Sequence, residues 1–363
     1  MTNYQLKPRQ ICLFFISFTA VTKFFTMPSI IAKIAHEDMW ICSLINVLLD
    51  LSTIIALVFV CKKHKKTFIG LLEENLGKLI TKIIIFLYFL YFLLKSFIPI
   101  NEQKSFVELA LYINLTTDLY FIPFFIVAFY ISTKELRVWG RVADVVWIIT
   151  LGGFFLLIAL SITNTDFLAI LPIGASGIKN IAKGSYLSAN WFGESAYFLF
   201  FIGEFAYEKK FGLKIILSYL ASAVMLIIFM IIFYGIFTSI AFRQSFALTE
   251  IAKYTTVINN IGRFDYLGII MVLFANIFAL SVPVFFACRC LNYLFNLKQK
   301  WISSLIVIAV LFVLTIALNE FYYSLEKLFS RYLSAYFLIV ANIIPLICLF
   351  FTKKEKKNAF EKT

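Results

Sequence analysis

Ten apolar stretches, separated by short polar segments, extend over nearly the whole chain. Most of them reach the ~20 residues that an α-helix needs to cross about 30 Å of hydrocarbon. The pattern therefore predicts an all-α membrane protein with ten transmembrane helices. The predicted spans are 11–34, 38–60, 80–100, 119–132, 142–162, 191–207, 215–240, 264–288, 301–319 and 332–351.

Basic residues concentrate in alternate connections between these spans. With a cytoplasmic N-terminus, the inward-facing segments hold 21 of the 33 lysines and arginines. The outward connections hold six, namely Lys104, Lys179, Lys183, Arg243, Lys253 and Lys327. The positive-inside rule then predicts a multi-pass protein of the cell or spore inner membrane. Both termini are expected in the cytoplasm, with 352–363 as a basic tail.

The composition supports a single polytopic membrane domain over residues 1–363. Hydrophobic residues make up 62% of the chain and charged residues 15%, a balance that a soluble domain of 363 residues would not tolerate. The net charge is +13, and the basic residues that produce it lie beside the membrane spans. Topology and contact with anionic lipid therefore explain it better than nucleic-acid binding does.

Residues typical of metal sites and catalysis do not converge in the sequence. The six cysteines fall within or at the ends of spans. The two histidines, His36 and His64, are predicted on opposite sides of the membrane. Neither a phosphate-binding glycine loop nor a nucleophile motif is present. We therefore expect no metal, no cofactor and no enzymatic activity.

Ten spans can be divided into two halves of five, over about 11–162 and 191–351. Because five is odd, the second half enters the membrane from the opposite side. This is the geometry of an inverted repeat, in which the first helix of each half is often interrupted and lines a site near the midplane.

Span 1 carries the first candidate interruption. Pro28 cannot donate a helical hydrogen bond and clashes with the carbonyl of Phe24, so the helix is expected to open near residues 23–26. Lys23 lies about 16 Å from either end of the span, beyond the reach of a snorkelling side chain. Either it faces a cavity or a partner group rather than lipid, or the span is shifted along the sequence and Lys23 lies nearer an interface.

Span 6 carries the second candidate interruption. Gly193 loosens the backbone between Trp191 and the polar pair Glu194 and Ser195, with Tyr197 in the following turn. Glu194 is interpreted as a cavity residue or as a carboxylate at the outer interface. Glu204, later in the span, is interpreted as approaching the inner interface.

Other polar residues within spans have mainly structural interpretations. Asn46 and Asp50 share a helix face and are expected to hydrogen-bond to neighbouring helices. Lys95 lies near the predicted outer end of span 3 and is expected to snorkel. Asn276, ahead of Pro283, marks a bend with a polar group and is a functional candidate.

Three short motifs in this ten-span frame resemble a known family. They are Asp38-Met39-Trp40-Ile41 after the proline-containing span 1, Leu171-Pro172-Ile173-Gly174 before span 6, and Arg263-Phe264-Asp265-Tyr266-Leu267 opening span 8. The pattern resembles the B subunit of bacterial spore germinant receptors, the endospore germination permeases of the amino acid–polyamine–organocation transporter superfamily. The chain departs from that superfamily in having no glycine in span 1.

The resemblance implies a LeuT-like 5+5 inverted repeat around a pocket for a germinant such as an amino acid. It also implies two partners, an A subunit with large soluble parts and a lipoprotein C subunit. Lys23 would bind a ligand carboxylate or replace a coupling cation, and Arg263 and Asp265 would form a gate or structural ion pair. The implied ligand-binding residues are Thr22, Lys23, Thr26, Pro28, Trp191, Glu194, Ser195, Tyr197 and Asn276.

Three functions are compatible with these expectations. The first is a sensor that binds germinant and signals to partner subunits. The second is a proton-coupled amino acid permease, in which Lys23, Glu194 and Glu204 are the candidate titrating groups. The third is an ion- or water-conducting structural subunit of the receptor complex.

Overall fold

A computed structural model describes residues 6–64, 66–110, 117–253, 265–318, 321–347 and 349. Within these ranges the chain is helical, and strand geometry is limited to one isolated bridge between Leu6 and Phe205. The helices are α1 (Pro8–Phe18), α2 (Met27–Ala35), α3 (Met39–Lys63), α4 (Phe68–Ala110), α5 (Thr117–Ser132), α6 (Leu136–Ser161), α7 (Ile178–Ser188), α8 (Glu194–Phe201), α9 (Phe211–Phe237), α10 (Ala247–Lys253), α11 (Asp265–Phe295), α12 (Lys300–Ala317), α13 (Tyr322–Leu328) and α14 (Ser334–Leu338).

Seven helical segments of the described chain are long and apolar enough to cross a membrane. They are Met27–Lys63, Phe68–Val107, Leu136–Asn164, Phe211–Arg243, Gly268–Phe295, Lys300–Ala317 and Phe329–Ile347, with Phe121–Ser132 a shorter apolar helix. Large apolar side chains such as Phe59, Leu79 and Ile126 are more than half exposed on the perimeter. Exposed apolar surface of this extent suits contact with lipid rather than water, which supports the prediction of a helical multi-pass membrane protein.

The first predicted interruption is present. Helix α1 ends at Phe18, α2 begins at Met27, and a single 3₁₀ turn, Val21–Lys23, lies between them. The Phe24 and Phe25 carbonyls accept hydrogen bonds from the backbone N–H groups of Leu248 (3.1 Å) and Ala247 (3.0 Å) at the start of α10. Carbonyls released from a helix must be satisfied inside a membrane protein. The short helix α10 therefore supports the opened segment from a distant part of the sequence.

The predicted bounds of span 6 are wrong, although its interruption is real. Instead of one helix from 191 to 207, the chain forms α7, a 3₁₀ turn over Ala189–Trp191, and the eight-residue α8. Because α7 has a polar composition, the hydropathy pattern did not predict it as part of a span. Residues 191–193, expected to begin the span, are instead the interruption itself.

Helix α4 also differs from the prediction. The polar run at 101–104 suggested an outward loop after residue 100, but the helix continues to Ala110 and these four side chains are buried. Groups outside this run form hydrogen bonds with its polar side chains: Asn101 donates to the Phe97 carbonyl (2.7 Å), and Gln103 accepts from Asn276 of α11. Lys95 is consequently well inside the helix rather than near its end. The prediction that Lys95 snorkels to the outer interface is wrong, since its side chain is buried.

Asp38, in the 3₁₀ turn between α2 and α3, connects this turn to the loop ahead of α7. Its carboxylate accepts hydrogen bonds from the Gly174 N–H (2.7 Å), the Ser176 N–H (2.9 Å) and the Ser176 hydroxyl (2.7 Å), and the residue is completely buried. Charged acceptors make the stronger hydrogen bonds. This carboxylate therefore fixes the loop to the helix bundle.

We expect Asp38→Asn to destabilise the protein by about 2 kcal/mol, because the amide retains one acceptor oxygen and leaves a buried donor without a partner. Thermal unfolding in detergent measures the effect. Glu37→Gln, one residue earlier and partly exposed, is the control and should have little effect. An equal loss in both variants would contradict the structural role of the Asp38 carboxylate.

Candidate functional site

Lys23 and Glu194 connect the two interrupted segments. The Lys23 ammonium donates to the Glu194 carboxylate and to the Thr19 carbonyl, and the lysine side chain is completely buried. It also lies 4.9 Å from the centre of the Phe192 ring, within cation–π range. From the sequence, each residue could lie either in the interior or near an interface. The structure places both in the interior, in contact with one another.

Asp50 lies at the N-terminus of α8. Its carboxylate accepts the backbone N–H groups of Glu194 (2.8 Å) and Ser195 (3.1 Å), and the side chain is buried. The first N–H groups of a helix have no partner within the helix and carry a partial positive charge. Asp50 of α3 thus supplies the negative charge that this helix end attracts. Its predicted bonds to a neighbouring helix are confirmed, and they place it at the site.

Gly193 and the preceding residue are held by side chains of α4. The Tyr91 hydroxyl donates to the Gly193 carbonyl (3.1 Å), and the Lys95 ammonium donates to the Phe192 carbonyl. Gly193 has a φ of 109°, and an added Cβ would lie 2.3 Å from the Tyr91 hydroxyl oxygen. Only glycine combines this backbone conformation with so close a neighbour.

Four ionisable side chains therefore meet around the two interruptions: Lys23, Asp50, Lys95 and Glu194. We call them the buried charge cluster. All four are at least nine-tenths buried. Two are basic and two acidic, so their formal charges balance when all are ionised. Ionisable groups inside a membrane are retained where they pair or line a cavity. Here Lys23 pairs with Glu194, while Glu194 and Lys95 line a cavity.

A small cavity of about 30 Å³ lies beside the cluster. We call it the central cavity; it has room for about two water molecules. Four predicted ligand-binding residues line it (Thr22, Trp191, Glu194 and Tyr197), together with residues that include Phe18, Lys95, Asn190 and Pro283. Two of these lining residues each have an acceptor oxygen, Glu194 Oε2 and Asn190 Oδ1, that is buried without a hydrogen-bond partner among the described residues.

The remaining predicted ligand-binding residues do not line the central cavity. Thr26 lines a separate cavity of about 190 Å³, together with Lys33 and Arg243. Ser195 donates its hydroxyl to the Ala341 carbonyl (2.7 Å). Lys23 does not line the cavity, but it contacts Glu194, which does.

Asn276 and Pro28 are also separate from the central cavity. Asn276 donates to Gln103 of α4, and Pro28 is the second residue of α2, where a missing backbone N–H leaves no helical hydrogen bond unmade. The predicted gate pair is untested, because Arg263 and the side chain of Asp265 lie outside the described residues. Glu204, interpreted as an interfacial group, is buried and paired with Arg289.

The sequence missed Lys95, Asn190 and Tyr91 as site residues, and it gave Asp50 only a structural role. A signal was available for Asp50, since a carboxylate in the middle of an apolar stretch is costly unless it is paired. For Lys95, the polar residues 101–104 suggested that the span ends at residue 100, so Lys95 was placed near an interface rather than in the interior. Trp191, by contrast, was predicted, and its indole N–H donates to Glu102 (3.0 Å) of that same run.

Comparison with known proteins agrees with the resemblance found in the sequence. Residues 5–323 match the family described as spore germination protein, which is most of the 363-residue chain. None of the curated proteins matches the chain. The match includes α1 to α12 and therefore both interruptions and the whole buried charge cluster. The chain belongs to the spore germination protein family.

Proposed function

We propose that the protein is the membrane subunit of a nutrient-germinant receptor that binds a small zwitterion, such as an amino acid, in the central cavity. The observation that carries the proposal is the pair of opposite charges on the cavity wall. Lys95 provides an ammonium for a ligand carboxylate. Glu194 Oε2 and Asn190 Oδ1 provide acceptors for a ligand ammonium, and neither has a partner among the described residues.

Two other charged positions are already filled by the protein itself. Asp50 occupies the N-terminus of α8, where a ligand carboxylate could otherwise bind. Lys23 lies between the interrupted segments with its ammonium on Glu194 and a freed carbonyl. We therefore assign Lys23 the place of a coupling cation, and Lys95 the contact with the ligand carboxylate.

The fold that we propose has ten spans in two inverted halves within a single membrane domain, 1–363, with both termini cytoplasmic. Interrupted segments α1–α2 and α7–α8 support it, because each would open one half of five spans. The second half would then begin near residue 178 rather than 191. The germinant receptor A and C subunits would be its partners in the spore inner membrane, and the subunit itself is not an enzyme.

The central cavity is smaller than any amino acid. Binding therefore requires the two interrupted segments to separate, and this movement is the natural signal to partner subunits. An opening of this kind is a population shift that the ligand drives by its higher affinity for the open state. For a sensor this opening is sufficient, and the ligand need not be carried across the membrane.

We expect a germinant amino acid to stabilise the purified protein in detergent. A ligand at about 100 times its dissociation constant adds about 2.7 kcal/mol to the folded state, which is measurable as a rise in melting temperature. Lys95→Gln keeps an N–H donor for Phe192 but removes the charge, so it should abolish the rise. Lys82→Gln, on the exposed face of the same helix, should retain it. A full shift in Lys95→Gln would contradict the assignment.

The buried charge cluster favours proton-coupled amino acid transport as a second candidate, since chains of buried carboxylates and amines are typical of proton relays. Uptake of labelled amino acid into proteoliposomes under a proton gradient separates the two. Accumulation that Glu194→Gln abolishes would favour the permease. Ligand-dependent stabilisation without accumulation would favour the sensor.

A further inference from the structure

A second, larger cavity lies on the lysine-rich side of the protein, between the turn after α5, the end of α11 and the start of α12. Its volume is about 350 Å³, and its polar lining includes Lys134, Glu135, Arg289, Asn292 and Lys300. We call it the basic cavity. None of its lining residues belongs to the buried charge cluster or lines the central cavity.

Positive charge converges on the basic cavity from three separate elements. Lys134 comes from the turn between α5 and α6, Arg289 from α11, and Lys300 from the first residue of α12. Glu135 is the acidic residue of the lining, and its carboxylate is 3.9 Å from the Lys300 ammonium, which is a loose contact. The lining therefore has a net positive charge.

Arg289 retains an unused donor. Its Nη2 atom bonds to Glu204, while Nη1 is buried and has no partner among the described residues. Buried N–H groups are nearly always paired. An arginine with one terminal nitrogen on a carboxylate and the other unfilled can still bind an oxyanion.

The start of α12 adds to the positive potential. Gln299 at the N-cap makes no capping hydrogen bond, its side-chain oxygen accepts instead from the Trp301 indole (2.9 Å), and the first turn contains no acidic residue. The N-terminus of a helix is equivalent to about half a positive charge. A lysine at this position is unfavourable unless an anion lies nearby.

We propose that the basic cavity binds a phosphate group. Phosphate is compact, carries up to two negative charges and accepts hydrogen bonds from guanidinium, ammonium and helix N-terminal groups together. Basic pockets between spans on the cytoplasmic side are suited to the head groups of acidic lipids, and a soluble phosphate offers the same chemistry. This site is independent of the germinant pocket and does not rest on it.

The test uses the full-length protein in detergent with three probes: phosphatidic acid, zwitterionic phosphatidylcholine and inorganic phosphate. Native mass spectrometry counts retained lipid, and equilibrium dialysis measures labelled phosphate. The variant is Lys134→Gln with Lys300→Gln. The control is Lys62→Gln with Lys63→Gln, which removes the same charge from exposed positions at the end of α3.

We expect the wild type and the control to retain phosphatidic acid in preference to phosphatidylcholine. Removal of two cations, at about 1 kcal/mol each, should weaken binding about thirtyfold in the test variant. Displacement of the lipid by inorganic phosphate would identify a soluble source, and retention despite phosphate a lipid head group. Equal binding by all three proteins, equal losses in both variants, or no binding of either anionic probe would overturn the proposal.

Discussion

Lys23→Met is expected to destabilise the protein by about 3–5 kcal/mol, the range typical when one partner of a buried ion pair is removed. The substitution leaves Glu194 and Asp50 buried at the same site with Lys95 as the remaining cation. Uncompensated charge is costly there because the cluster is shielded from water. Chemical or thermal unfolding in detergent measures the loss, and the folded fraction can be checked by size-exclusion chromatography.

The double variant Lys23→Met with Glu194→Gln should recover most of this loss, since it removes both charges of the pair. An exposed pair provides the matched comparison. Lys66 and Glu74 are 2.6 Å apart but about half exposed, and exposed pairs contribute less than about 1 kcal/mol. If Lys23→Met costs no more than Lys66→Met, the Lys23–Glu194 contact does not hold the interrupted segments together.

The Lys23–Glu194 pair has a mechanical consequence for the proposed receptor. Each partner belongs to a different interrupted segment, and the pair adjoins a cavity too small for an amino acid. A ligand ammonium that reaches Glu194 Oε2 would share that carboxylate with Lys23 and weaken its hold. Ligand binding and separation of the segments would thus be coupled through one carboxylate.

The sequence predicted the chemistry of individual site residues better than their partners. Lys23 was identifiable because its distance from either end of the apolar stretch exceeds the reach of its side chain. Pro28 indicated where the helix opens, because its effect on backbone hydrogen bonding is local. The contact with Glu194, 171 positions away, depends on how distant spans pack, and no local pattern carries that information.

Hydropathy was least informative where a helix is polar or interrupted. Helix α7, which begins span 6 in the fold that we propose, contains Lys179, Asn180 and Lys183, so its composition resembles that of a loop. The polar residues 101–104 of α4 are buried, because side chains from other helices, such as Trp191, satisfy them. Hydropathy therefore misses a helix whose exposed positions are polar, as in α7, and a helical segment whose polar side chains are buried against protein, as in residues 101–104.

Gly193→Ala is expected to be the other severe substitution, with a loss of about 4 kcal/mol. The left-handed conformation at φ 109° costs a residue with a Cβ about 1–2 kcal/mol. Overpacking adds about 1–3 kcal/mol, because the new methyl group would lie 2.3 Å from the Tyr91 hydroxyl oxygen and 2.9 Å from the Ala341 Cβ. Unfolding in detergent again provides the measurement.

Gly77 separates the two contributions to this loss. It lies at a kink within α4, with a φ of 79° and a ψ of 166°, and an added Cβ there would meet no atom within 4 Å. This backbone conformation is essentially restricted to glycine, so Gly77→Ala should lose only a conformational contribution of about 1–3 kcal/mol. Gly193→Ala combined with Tyr91→Phe should recover part of the remainder, since the substitution removes the oxygen that the methyl group meets. Equal losses at Gly77 and Gly193 would show that the backbone of the second interruption is not packed against α4 as described.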